Sequence, residues 1–281
     1  MIPVFALCFL IIGKEGAFVY DWGMYPILAR LGPYFIYSYT VVMGLGFAAA
    51  SLTAYLQLRH QPQRWATWVN GLLVGLCAGL VVGRLLFVWG NGDYYQANPQ
   101  EIGLIGLGGV NYHGAVITGT LVFALWQAWQ GQAVMTQLGV AALPLVVWSL
   151  AGWVACYLEG CAYGQVTTVG LLAGNLPDSY GVFQVRVQTQ LLGVVWCTLV
   201  GLGVGMALIR GRVSASTLFW LAVILLCGGR ALISLGRGDP MPQWQSVRWD
   251  TLADSALTVF AAIGLFLAQW HSPRPTDNLI R

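Results

Sequence analysis

Four side chains stand in surroundings too apolar for them. Arg84 and Arg230 fall late in long apolar runs, Arg237 just past the end of one, and His113 at the lip of another. A charge in hydrocarbon costs about 2.5–3.5 kcal/mol on insertion scales, so these arginines require partners, water, or a snorkelling path to the interface. A forked guanidinium matches the oxygens of a phosphate, and histidine, which titrates near neutrality, suits a proton acceptor. Together they would form a site for an anionic headgroup whose acyl chains stay in an apolar groove. Asp239, Asp250 and Asp254 are the candidate counter-charges. A histidine at a helix start also has a plain structural use.

Of the six cysteines, Cys156 and Cys161 alone invite a chemical reading. Five residues apart on a helix, they would point about 140° away from each other, so a bond between them needs Gly160 to break the helix. Packing residues, a disulfide and a reactive thiol are all open for this pair.

The elements that must position these groups are membrane helices. The 281 residues are 58% hydrophobic and 8% charged, with mean hydropathy +0.70, against roughly 25% charged in a soluble domain. Continuous apolar runs of span length favour helices over a transmembrane barrel. The fold class is therefore an all-α polytopic membrane protein of about seven transmembrane helices in a single domain over 1–281. The spans are expected at about 34–57, 66–90, 114–130, 133–154, 188–209, 214–236 and 251–270. Residues 1–33 read as an interfacial or re-entrant arm, because MIPVFALCFLII is too short to span and lacks a basic leader and a cleavage site.

Basic residues mark the cytoplasmic loops. The connections 58–65 and 210–213 and the tail 271–281 carry Arg59, Arg64, Arg210, Arg212, Arg274 and Arg281 with a single acid, Asp277. All other Lys, Arg, Asp and Glu fall on the opposite side or within a span near it, which puts the amino terminus outside and the carboxyl terminus in the cytoplasm. On that outer side lie three irregular segments. In the first, Asn98, Pro99 and Glu101 have the order of an N-cap, first helical residue and capping-box acid, which predicts a short helix over 99–106 ended by Gly108 and Gly109. The second, 159–187, is a glycine-rich loop, and the third, 236–250, holds two prolines that forbid a continuous helix. Neither a basic tract nor an aromatic ladder points to nucleic acid.

GRLLFVWGNGDYYQANPQEIGLIGLGGVNYHGAVITG at 83–119 resembles the prolipoprotein diacylglyceryl transferase family, with a helix arginine, a DYYLANP-like interfacial stretch, a Gly-Gly pair and a His-Gly. LGPYFIYSYTVVMGLGFA at 31–48 resembles its first span and places Tyr39 on an active-site tyrosine. YLEGCAYG at 157–164 is similar to the end of its signature, with Gly164 on the terminal glycine. GRALISLGRGDP at 229–240 resembles its sixth-span end, with Arg237 on a functional arginine and Asp239 close behind.

The resemblance implies a bacterial inner-membrane enzyme that moves the diacylglyceryl group of phosphatidylglycerol to the lipobox cysteine thiol of a secreted precursor, with no metal or organic cofactor. Arg84, Arg230 and Arg237 would hold the phosphate, His113 would take the thiol proton, and Tyr39 would orient the lipid or a reactive oxygen. The sequence also departs from the family. An ungapped alignment on Gly164 puts Trp153 at the signature arginine, Cys156 at its asparagine and Cys161 at its glutamate. The His-Pro-Ser-Gln motif before the fifth span becomes Val187, Gln188, Thr189 and Gln190, where only Gln190 agrees. Glu159, Arg186 or a shifted arginine are the candidates to compensate. Two alternatives follow: a lipid-binding or lipid-moving protein without chemistry, and a membrane thiol redox protein using Cys156 and Cys161.

Overall fold

The computed structural model describes residues 10–12, 18–20, 24–104, 108–168, 170 and 172–270. Its frame is seven long helices: α1 (Ser38–Leu58), α2 (Pro62–Gly90), α4 (Tyr112–Trp129), α5 (Val134–Glu159), α6 (Thr189–Arg210), α7 (Ala215–Ser234) and α8 (Trp249–Trp270). A short α3 (Gly92–Ala97) follows α2. Six of the long helices, all but α4, are long and apolar enough to cross a membrane. The 18 residues of α4 begin with Tyr112 and His113 and end in Trp126, Gln127 and Trp129, which shortens its apolar centre.

Consecutive long helices alternate in direction, so every irregular segment except the tight turns at 59–61, 130–133 and 211–214 gathers at one end of the bundle. Caps set several boundaries. Ser214 and Asn111 accept N–H groups of the first turns of α7 and α4, and Gly160 and Gly211 close α5 and α6 in the left-handed conformation.

Small residues let the helices touch backbone to backbone. Gly71, Gly75, Gly79 and Gly83 recur every fourth residue along α2, so they share one face. Against this stripe lie Gln127, Phe123, Gly119 and Ala115 of α4, and a Cβ on Gly75 or Gly79 would meet a backbone carbonyl at 2.7 or 2.5 Å. Likewise Gly46 of α1 faces Ala151 of α5, and Gly193 of α6 lies against the Trp153 ring. In lipid, where apolar surface gains nothing by leaving the solvent, such close approach is what joins helices.

One helix defect is repaired in trans. Pro144 inside α5 has no N–H, which leaves the carbonyl of Val140 without its helical donor. Gln57 of α1 fills the gap, its Nε2 donating to that oxygen at 3.1 Å.

Several expectations are corrected at the boundaries. Residues 34–37 are not helical. They form β4 (Tyr34–Tyr37), which pairs with β3 (Ile27–Leu31) in an exposed hairpin leading into α1, turned back at Gly32, whose φ is +60°. The part of the expected 1–33 arm that is described also contains β1 (Leu10–Ile12) and β2 (Phe18–Tyr20). The rest of it, with Lys14, Glu15 and Asp21, and the tail with Arg274, Asp277 and Arg281, lie outside the described residues. The helix expected over 99–106 is replaced by α3 and a single 3-10 turn at Pro99–Glu101. Asn98 does not cap it forward. Its Nδ2 donates back to the Tyr94 carbonyl, and Glu101 bonds the Tyr94 hydroxyl in place of a capping-box amide. The glycine-rich 159–187 is no open loop: β5 (Ala173–Pro177) and β6 (Phe183–Val187) form a hairpin that extends a sheet of order β1-β2-β5-β6. The proline stretch carries a third hairpin, β7 (Gln243–Trp244) and β8 (Val247–Arg248), whose turn residues Gln245 and Ser246 both have positive φ.

Gln57→Leu should destabilise the purified protein by about 1–3 kcal/mol, the cost of a buried carbonyl left unpaired. The same change in a Pro144→Ala background should cost much less, because the alanine there restores the helical N–H donor. Thermal unfolding of the four proteins measures this cycle, and equal losses in both backgrounds would refute the assignment.

Candidate functional site

Two polar clusters sit one turn apart on the first half of α8. The deeper one is built on Asp254, which is 1% exposed. Its Oδ1 lies 3.0 Å from His113 Nε2 on α4, and its Oδ2 accepts from Arg230 Nε on α7 at 3.2 Å. The Arg230 guanidinium also stacks over the Tyr112 ring, 4.0 Å from its centroid, and Tyr112 stands edge-on to His113. One carboxylate thus joins α4, α7 and α8. With Nε2 engaged by Asp254, Nδ1 is the ring nitrogen of His113 left to take a proton.

The shallower cluster contains two arginines and two aspartates. Arg237 donates Nε and Nη2 to Asp239 and Nη1 to Asp250 Oδ2 at 3.0 Å. Arg248 donates Nε and Nη2 to Asp250 at 3.0 Å each, and reaches the Asp239 carbonyl with Nη1. Asp250 also accepts the Thr251 N–H, and the Ser234 and Thr251 hydroxyls bond at 2.6 Å beneath. The counter-charge role expected for all three aspartates is what the geometry has.

Backbone ladders place Arg237. It forms an isolated antiparallel bridge with Gly164, while Gly238 N–H donates to the Tyr163 carbonyl and Gln165 N–H to that of Gly236. Gly164 has no room for a side chain: a Cβ there would lie 2.2 Å from the Val187 carbonyl. The terminal glycine of the signature segment therefore has a steric cause. Gln190 helps hold the same loop by donating to the Cys161 carbonyl at 2.8 Å, and the Thr189 hydroxyl donates to that of Ala162.

Arg84 is elsewhere, with all five of its N–H groups engaged. Nε donates to Ile102, Nη1 to Gly108 and Gly109, and Nη2 to Glu101 and, at 3.5 Å, Leu104, every acceptor a main-chain carbonyl. Gly108 and Gly109, both at φ 84°, aim two consecutive carbonyls at one nitrogen. The guanidinium lies between the Phe87 and Tyr95 rings at the wall of an open cavity of about 250 Å³. In this arrangement it orders the segment that leads into His113, whose neighbour Asn111 donates its N–H to Gly83.

Cys156 and Cys161 form a disulfide, with Cα atoms 4.8 Å apart. Gly160, at φ 82°, breaks the helix between them as the bond requires, so the packing and reactive-thiol readings fall away. Trp153 is buried against Gly193 in the apolar core. Tyr39, at the start of α1, is 39% exposed and within electrostatic reach of Glu159 at the end of α5. Arg186 is taken up by Asp178 at 3.1 Å and by the Tyr163 ring, and so does not join Arg237. Arg248 is the residue that sequence reasoning misses. The repeated pattern Arg237-Gly-Asp239 and Arg248-Trp-Asp250 is its only sign. No group of three or more His, Cys, Asp or Glu suited to a metal occurs among the described residues.

Comparison with known proteins agrees with this layout. The model of the prolipoprotein diacylglyceryl transferase family matches residues 26–270. The chain is 26% identical to the phosphatidylglycerol–prolipoprotein diacylglyceryl transferase of Clostridium tetani over 219 residues, 77% of this chain and 87% of that one. It is 27% identical to the protein of the same name from Symbiobacterium thermophilum over 264 residues, 90% and 95% of the two chains. It is 30% identical to that of Streptococcus mutans over 148 residues, 51% and 55%.

The hairpin beside Gly164 has a pH signature. The N–H of Val182 above all, then that of Tyr180 and the Arg186 charge, hold the Asp178 carboxyl below its usual range against the opposing effect of burial. A depressed carboxyl stabilises the fold above its unfolded value, about 4, and loses that contribution as pH falls through its lower folded value. Asp178→Asn should therefore lower the melting temperature at pH 7, with the gap to wild type closing below about pH 4. A constant gap across pH 3–7 would contradict this.

Proposed function

The chain belongs to the prolipoprotein diacylglyceryl transferase family, and from that premise we propose that it transfers the diacylglyceryl group of phosphatidylglycerol to the lipobox cysteine of a secreted precursor. The observation that carries the reading is the pair of α8 clusters, which sets a proton acceptor, His113 on Asp254, one helical turn from the guanidinium of Arg237.

In the step, the precursor thiol loses its proton to His113 Nδ1 while its sulfur bonds to the terminal glyceryl carbon. The bond from that carbon to the phosphate oxygen breaks, and its electron pair leaves with glycerol phosphate. Arg237 stabilises the charge the phosphate gains, an electrostatic contribution worth several kcal/mol in sites of this kind. Asp254 holds the imidazole in one orientation and carries the negative charge that balances the ring once it is protonated. Arg230 pairs with the other carboxylate oxygen and holds Asp254 in place. Tyr39, beside Glu159, orients the lipid from the α1 side.

The charge asymmetry supports a cytoplasmic-membrane protein with this site facing outward. Arg59, Arg64, Arg210 and Arg212 lie at the opposite end of the bundle, in or next to the last inner turns of the helices.

A second reading has its own observation. Trp153 is a core residue and Cys156–Cys161 a structural clasp where the family signature has polar groups. A protein that binds anionic phospholipid and does not turn it over would need no more than the Arg237 cluster. The disulfide alone favours the thiol redox alternative no further.

A transfer assay with labelled phosphatidylglycerol and a lipobox peptide decides between these readings. Wild type should transfer, His113→Ala should lose at least about a hundredfold, as expected for a missing general base, and Arg237→Ala at least as much. Wild type that binds the lipid yet transfers none, under conditions where a family reference is active, would leave the binding reading in place of the enzyme.

A further inference from the structure

We propose that Arg248 is the second guanidinium of the anionic-headgroup site, replacing the arginine that the chain lacks at Trp153, and that Asp239 is the carboxylate an incoming phosphate displaces. This rests on the lipid-binding half of the function proposed above, and not on turnover.

The two guanidinium groups lie side by side. Arg237 Nη1 and Arg248 Nη2 are each 3.0 Å from one oxygen, Asp250 Oδ2, and their Nη2 atoms reach one oxygen of Asp239 at 2.6 and 3.4 Å. Two forks converging on shared oxygens give the donor arrangement that binds a tetrahedral phosphate dianion or a phosphodiester. Three of their ten N–H groups, two on Arg237 and one on Arg248, donate to no described residue. The cluster is thus charge-balanced without being saturated.

The two carboxylates are not equivalent. Asp250 belongs to the first turn of α8, its side chain is 2% exposed, and it also accepts the Thr251 N–H. Asp239 sits in the loop after α7 with its side chain 15% exposed, its carboxylate held by the arginines alone. An anion entering from the open side meets Asp239 first and competes for the same donors. Asp250 remains as the fixed partner that keeps both guanidinium groups in register. Trp153, packed on Gly193 within α5 and α6, brings no charge to such an anion, whereas the β7–β8 hairpin carries Arg248 to the place where a second charge is needed.

The ligand chemistry is a phosphate ester, and it could be supplied by a lipid headgroup or by free glycerol phosphate. Binding of phosphatidylglycerol, phosphatidylcholine and glycerol phosphate to the full chain in nanodiscs or detergent separates the two sources. Variants to compare are Arg248→Gln, Arg248→Lys and Asp239→Asn, with Arg212→Gln at the opposite end of the bundle as control. Arg248→Gln should weaken phosphatidylglycerol binding about tenfold or more and leave phosphatidylcholine unchanged. Arg248→Lys, which keeps the charge and loses the fork, should fall between Arg248→Gln and wild type. Asp239→Asn should tighten phosphatidylglycerol binding. Where Arg248→Gln fails to fold, the lysine and Asp239 variants carry the test. Unchanged phosphatidylglycerol affinity in the Arg248 variants, or weaker binding in Asp239→Asn, would overturn the proposal. Wild type that prefers phosphatidylglycerol but transfers nothing would support it while ending the transferase reading. Stronger response to glycerol phosphate than to the lipid would overturn the headgroup assignment.

Discussion

An ionised side chain at the edge of a hydrocarbon layer persists only when it is met by another, and here α8 supplies the meeting point. Asp250 and Asp254, four residues apart on one face, receive Arg237, Arg248, Arg230 and His113 from three other stretches of chain. Removing one partner of such a buried pair typically costs about 3–5 kcal/mol, because the charge left behind has nowhere to go. The carboxylates of α8 therefore do two things at once. They fix the order in which α4, α7 and the hairpin after α7 pack at the outer end, and they hold the groups that could act on a phosphate and a thiol.

Everything around them serves to deliver those groups to one level. Arg84 gathers the carbonyls of Glu101, Ile102, Gly108 and Gly109, so that His113 enters α4 from an ordered approach. The Cys156–Cys161 clasp, Gln190 and Thr189 hold the segment of Gly164, and its backbone bridge positions Arg237. The type of turn at Gln245 and Ser246 determines where Arg248 falls. Main-chain geometry, more than side-chain chemistry, sets the site.

This explains what could be read from residues alone. The apolar runs gave the long helices within a few residues, since a membrane span admits only one regular structure. The need of Arg230 and Arg237 for carboxylates was equally legible, because the only acids near them in the sequence are Asp239, Asp250 and Asp254. The contacts of Arg84 were hidden for the opposite reason. Its partners are peptide carbonyls 17 to 25 residues downstream, which no side-chain pattern announces. The hairpins at 27–37 and 173–187 were hidden by their setting, as a short apolar strand next to a membrane helix looks like the ragged end of a span. Arg248 needed a turn of known hand before its contact with Asp250 could be foreseen.

The glycine stripe of α2 has a mechanical consequence. Two helices in contact through bare backbone have no side-chain cushion to compress or re-rotate, so α2 and α4 are joined as a single stiff rib. Stiffness of that kind transmits displacement without absorbing it. A displacement at Gly71, near the inner end of α2, is therefore carried along the rib to Gly83 and Ala115, the level of His113.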